Sequence, residues 1–140
     1  MKMEKRAVFL GDSITLGYGL KDPTKRYSTI FSKMNGFIEQ NYGIPGTLIA
    51  RAGISAMNNS AFIDRYQLLP EGDLIIVFGG TNDYWWSDTS VGDETTQNPA
   101  YFHYAMRRLC DGLRKKYSSV PIIFITPYQH YGFGNFWGGK

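Results

Sequence analysis

Three short stretches hold the residues whose types and spacing suit acyl-transfer chemistry. They are Gly11-Asp12-Ser13, the run NYGIPGT from Asn41 to Thr47, and GGTND from Gly79 to Asp83. A group that attacks a carbonyl needs a nucleophile and donors aimed at the oxyanion that forms. Ser13 supplies a hydroxyl, and its backbone N–H, at the start of a turn or helix, supplies one donor. A glycine in the second stretch, Gly43 or Gly46, lets backbone approach a substrate closely and offers a second N–H. The Asn82 carboxamide is a third donor. Each residue also has a plainer reading: Ser13 as a helix N-cap, Asn82 as a turn former, either glycine as a purely conformational device. Asp12 reads as an acceptor that shapes its turn and not as a general base.

Strands that are buried on both faces must place these stretches. Ala7–Gly11 (AVFLG), Leu74–Gly80 (LIIVFGG) and Pro121–Pro127 (PIIFITP) are apolar runs without alternation, the pattern of parallel strands covered on both sides. Phe37–Gly43 reads as a fourth strand or as the tail of the preceding helix. Helices are predicted over Pro23–Gly36, Ser55–Leu69 and Asn98–Tyr117. The last has Asn98 as cap, Pro99 at the first position, and an apolar stripe through Phe102, Ala105, Met106, Leu109, Cys110, Leu113 and Tyr117. Strands alternating with helices predict a single α/β domain over residues 1–140 with a parallel sheet. In such sheets ligands sit beyond the carboxyl ends of the strands, where all three stretches fall. Trp85–Asn98 reads as a long surface loop, with Trp85 and Trp86 as candidates to line a substrate pocket or simply to pack.

GDSIT, then NYGIPGT, then GGTND, in this order and each at a predicted strand end, resembles the SGNH (GDSL) hydrolases, a family of serine esterases and lipases. The resemblance covers nearly the whole chain. It implies a three-layer, flavodoxin-like sandwich, with Ser13 as nucleophile, Gly46 donating its N–H and Asn82 its carboxamide. It also implies a histidine base in an Asp-x-x-His motif near the C-terminus, and here the chain departs from the pattern. There are two histidines. His103 falls within the Asn98–Tyr117 helix, on the solvent side of its pattern. His130 follows the last strand, but Pro127 stands three residues before it, and no aspartate follows Asp111. His130 therefore reads as a loop residue, with a substitute base as the alternative. The expectation is a chain truncated before the family's last strand and helix, its base coming from outside it. The apolar strand Ile122–Thr126 would then be an open sheet edge, covered by the rest of a longer protein or by a second copy in a homodimer.

Composition excludes several other classes. The 140 residues are 43% hydrophobic and 19% charged, ordinary values for a folded domain. The net charge of +3 is small and the basic residues are scattered or gathered at one helix end, so nucleic-acid binding is not expected. One cysteine, Cys110, excludes an internal disulfide and a cysteine-rich metal site. No metal or organic cofactor is implied. The lack of a signal-like or membrane-spanning run makes cytoplasmic location the expectation. The reading is an ester hydrolase acting on a small-molecule ester. The alternatives are a non-catalytic binding domain on the same scaffold, and a nucleotide or phosphate binder, which the missing Gly-rich loop and lysine disfavour.

Overall fold

The computed structural model describes residues 3–85 and 89–127. Four parallel strands, β1 (Lys5–Gly11), β2 (Phe37–Gly43), β3 (Leu74–Phe78) and β4 (Ile122–Ile125), form one sheet in the order β2-β1-β3-β4. β1 and β3 lie at its centre, and their alternate residues feed two separate cores. Val8, Leu10, Ile75 and Val77 pack on one face against Phe62, Leu109 and Leu113. Ala7, Phe9, Leu74 and Ile76 pack on the other against Tyr27 and Phe31. This is why those runs do not alternate in polarity: both faces of the sheet are covered. The register of β3 on β1 is pinned where it starts, since Arg6 N–H donates to the Asp73 carboxylate and Asp73 N–H donates to the Arg6 carbonyl.

Six helices follow the strands: α1 (Ser13–Leu16), α2 (Tyr27–Asn35), α3 (Gly53–Asn58), α4 (Phe62–Arg65), α5 (Thr81–Trp85) and α6 (Phe102–Lys116). The segment expected as one helix over Pro23–Gly36 is a 3₁₀ turn, Pro23–Lys25, followed by α2, because Arg26 between them is extended (ψ 142°). The segment Ser55–Leu69 is likewise divided. Asn59 takes a left-handed conformation (φ 53°) and ends α3 before α4 begins. The α6 helix starts at Phe102 and not at Asn98. The Asn98 side chain accepts from Ala100 N–H and its carbonyl accepts from Tyr101 N–H, a local turn that competes with helical bonding. The α6 stripe is as expected, with Ala105, Leu109 and Leu113 fully buried. Replacing Leu113 with alanine should cost about 2–5 kcal/mol in denaturant unfolding, the usual price of a cavity under a fully packed leucine. Among the described residues no helix is long and apolar enough to cross a membrane.

Candidate active site

The strand order sets where a site can form. The chain runs from β1 outward to β2, then returns past β1 to β3, so the order reverses between β1 and β3. Ser13 follows β1 and Asn82 follows β3, on either side of that switch point.

Ser13 is the first residue of α1. Its neighbour Asp12, not Ser13, is the helix cap: the Asp12 carboxylate accepts from Ile14 N–H at 2.9 Å. Asp12 is buried, and this desolvation raises its pKa against the opposing pull of the N–H bonds and of nearby Arg65. The cap reading of Ser13 thus passes to Asp12, and the Ser13 hydroxyl has no hydrogen-bond partner among the described residues. Behind the serine, α1 is held by polar bonds to its neighbours. Asn41 Nδ2 donates to the Thr15 carbonyl (2.6 Å) and to Ser28 Oγ (2.9 Å), and the Thr15 hydroxyl bonds the Tyr27 hydroxyl (2.9 Å).

The second loop distinguishes its two glycines. At Gly43 a Cβ would lie 2.3 Å from the Leu16 amide nitrogen, so glycine is required there for β2 to pass the backbone of α1. Gly46 has φ +73° in a turn where Pro45 precedes it and Thr47 N–H reaches the Ile44 carbonyl, the arrangement of a type II turn. Its N–H bonds to none of the described residues.

The third loop grips the second. Asn82, 7% exposed, donates one Nδ2 hydrogen to the Thr47 carbonyl at 3.0 Å, which leaves the other for a ligand. Asp83 accepts from Ile49 N–H (2.8 Å) and Ala50 N–H (2.9 Å). Burial drives the Asp83 carboxyl up to about 6, against the lowering effect of those amide bonds. An acid whose pKa is raised by folding stabilises the native state most when protonated. That contribution should therefore fade as pH rises from about 4 through about 6. Urea titrations across that range should show it as a slope of up to about 1.4 kcal/mol per pH unit, absent in Asp83→Asn.

The structure thus gathers Ser13, Gly46 and Asn82 at one edge of the sheet, through bonds that link loop to loop. Ile44 N–H donates to the Gly11 carbonyl at 3.1 Å, and Asn82 and Asp83 bind Thr47, Ile49 and Ala50. Trp85 ends α5, half-buried, its ring edge-on to the exposed Tyr84 at 5.5 Å. Trp86 and His130 lie outside the described residues. His103, expected to face solvent, is half-buried: its Nδ1 is buried with no hydrogen-bond partner among the described residues, and α6 is fastened to the loop before it by Phe102 and His103 N–H groups bonded to Ser90 and Val91 carbonyls. The Arg107 guanidinium adds bonds to the carbonyls of Glu94 and Thr96. Two residues of the site escaped the sequence reading. Asp83 closes the GGTND motif, where the motif alone assigns it no role. Arg65 stood unremarked in FIDRYQLL, although a charged residue amid an apolar segment was the available signal. Among the described residues, no group of three or more His, Cys, Asp or Glu side chains is placed to hold a metal ion.

A strand-end serine, a left-handed glycine turn and a buried Asn-Asp pair on a parallel α/β sheet fit the SGNH hydrolase fold. The chain belongs to the GDSL-like lipase/acylhydrolase family, whose pattern it matches over residues 9–138. Among solved structures it is similar to a protein from Lactobacillus plantarum, with 32% identity, TM-score 0.76, and 96% of this chain aligned to 62% of that one. A candidate GDSL-like lipase from Bacteroides uniformis shares 25% identity at TM-score 0.74, over 91% of this chain and 73% of the other. A family two carbohydrate esterase from Clostridium thermocellum, solved with cellohexaose, shares the fold at 19% identity and TM-score 0.66, over 95% of this chain and 46% of the other. No curated protein sequence matches the chain significantly. The chain therefore spans about three fifths of the length of the Lactobacillus plantarum protein.

Proposed function

We propose that the protein hydrolyses carboxylic esters, acetyl or short acyl groups on a small alcohol or carbohydrate, through an acyl-Ser13 intermediate. Ser13 Oγ attacks the ester carbonyl and its proton passes to a histidine base supplied from outside these 140 residues, without which activity is weak or absent. The oxyanion is met by Ser13 N–H, Gly46 N–H and the second Nδ2 hydrogen of Asn82. The C–O bond to the alcohol breaks, the alcohol leaves with the proton, and water then attacks the acyl-serine to release the acid. Trp85 borders the substrate.

One observation supports this reading above the others. Among the described residues the Ser13 hydroxyl and N–H and the Gly46 N–H are left without partners, and Asn82 commits one amide hydrogen, on loops that hydrogen-bond to one another at the switch point of the sheet. Backbone and side-chain donors held this way cost no reorganisation when charge develops. The test is a fluorophosphonate probe, read by intact mass, together with p-nitrophenyl acetate turnover. One phosphonyl group per chain, on Ser13, is the expected product. A protein that carries the histidine base as well, yet takes up no probe and turns over no ester, overturns the proposal. Carbohydrate or acyl ligands that bind such a chain would instead make it a non-catalytic binding domain. The outer edge of β4, unpaired among the described residues, is also the surface on which a homodimer would form.

A further inference from the structure

Arg65 is 8% exposed, and among the described residues no carboxylate lies within ion-pair distance of it. The buried Asp12 acts on Arg65 through space but makes no hydrogen bond to it, and a buried charge without a directly paired carboxylate is costly unless dipoles surround it. Here its hydrogen bonds run to neutral oxygens. Nη2 donates to the Gly11 carbonyl at 2.6 Å and to Thr47 Oγ1 at 3.0 Å, Nη1 to the Tyr42 carbonyl at 2.6 Å, and Nε to the Ser60 carbonyl at 2.9 Å. The guanidinium also lies over the Phe62 ring, 4.9 Å from its centroid. Gly11 ends β1 two residues before Ser13, Tyr42 lies at the end of β2, and Thr47 directly follows Gly46. One planar fork therefore joins the nucleophile loop, the end of the adjacent strand and the glycine turn.

From this geometry we infer that Arg65 is a positioning residue that sets the spacing between Ser13 and the Gly46 N–H by clamping the carbonyls of β1 and β2 to Thr47. The inference rests on the ester-hydrolase reading for its consequence on rate, but the clamp itself can be tested without activity. Lysine keeps the charge at this position and loses the fork, since a single ammonium on a flexible stem cannot hold three separated oxygens in one plane. A shift of the oxyanion donors by a fraction of an ångström to one ångström acts on the transition state more than on the bound ester.

The experiment compares Arg65→Lys and Thr47→Val with Leu113→Ala, a core variant on α6 that loosens the fold without touching the clamp. Two readouts are taken: backbone amide chemical shifts of Ser13 and Gly46, and the kinetics of fluorophosphonate labelling and p-nitrophenyl acetate hydrolysis. The expected result is displaced Ser13 and Gly46 amide signals in both clamp variants but not in Leu113→Ala. The labelling rate and kcat should fall by about tenfold to a hundredfold in Arg65→Lys, with KM within about twofold of the parent. Amide signals that stay in place in both clamp variants overturn the inference, as does a loss of kcat no larger than in Leu113→Ala. If Arg65→Lys does not fold, Thr47→Val decides by the same signals. A parent protein that carries the histidine base and still fails to label sinks the ester reading alone, because the amide shifts still decide the clamp.

Discussion

Replacing Ser13 with alanine is expected to abolish fluorophosphonate labelling and to lower p-nitrophenyl acetate turnover to the background set by the oxyanion donors, while leaving the fold intact. Loss of the nucleophile in a serine hydrolase removes on the order of 10⁴-fold or more of the rate, because no other group can form the acyl intermediate. The structural cost should be small. Asp12 caps α1, and the Ser13 hydroxyl bonds to no described residue, so its removal leaves no buried group unpaired. Serine and alanine differ by about 0.5 kcal/mol in intrinsic helical preference, and Ser13 is half-buried. Intact mass and thermal unfolding, measured on the same preparations, separate the two roles. A variant that loses about 1 kcal/mol or more of stability but still takes up the probe would make Ser13 a structural residue.

Asn82→Ala should have the second-largest effect, and it should appear in two measurements. As an oxyanion donor, Asn82 is expected to contribute about 10²–10³ in kcat with little change in KM. As a loop tie, it donates to the buried Thr47 carbonyl, and an acceptor stranded there costs about 1–3 kcal/mol in unfolding free energy. The two effects have separate causes, since one Nδ2 hydrogen serves the loop and the proposed mechanism assigns the other to the substrate. A variant whose kcat falls only as far as the unfolded fraction explains would leave Asn82 with the tie and no catalytic part.

Much of the framework was legible because it follows from local pattern. Runs such as LIIVF must be covered on both faces, which only a central strand of a parallel sheet provides, and Leu74–Phe78 is that strand. The weakest strand expectation, Phe37–Gly43, matches β2 residue for residue. Its ambiguity arose from its polar residues. Glu39 and Asn41 are half-buried in a network with Ser28 and Thr29, a solution that hydrophobic patterning cannot reveal. Helix boundaries were less legible, because short-range side-chain bonds decide them. Asn98 spends its side chain on a turn and α6 begins four residues later, at Phe102.

For the site, the amino-acid order alone determined which residues are brought to the sheet's carboxyl edge: Ser13 after β1, the Gly46 turn after β2, and Asn82 after β3. Strand ends follow from apolar runs, and the motifs sit directly on them. Which groups interlock those loops was decided only in three dimensions. Arg65 reaches a carbonyl 54 residues away, and Asp83 an amide 34 residues away. Neither bond leaves a periodicity or a local spacing to read, because its partners are backbone atoms that every residue carries. The same bonds leave the Ser13 hydroxyl and the Gly46 N–H without partners among the described residues, which is a tertiary property, while the place of Ser13 at the mouth of the strand is a property of the sequence.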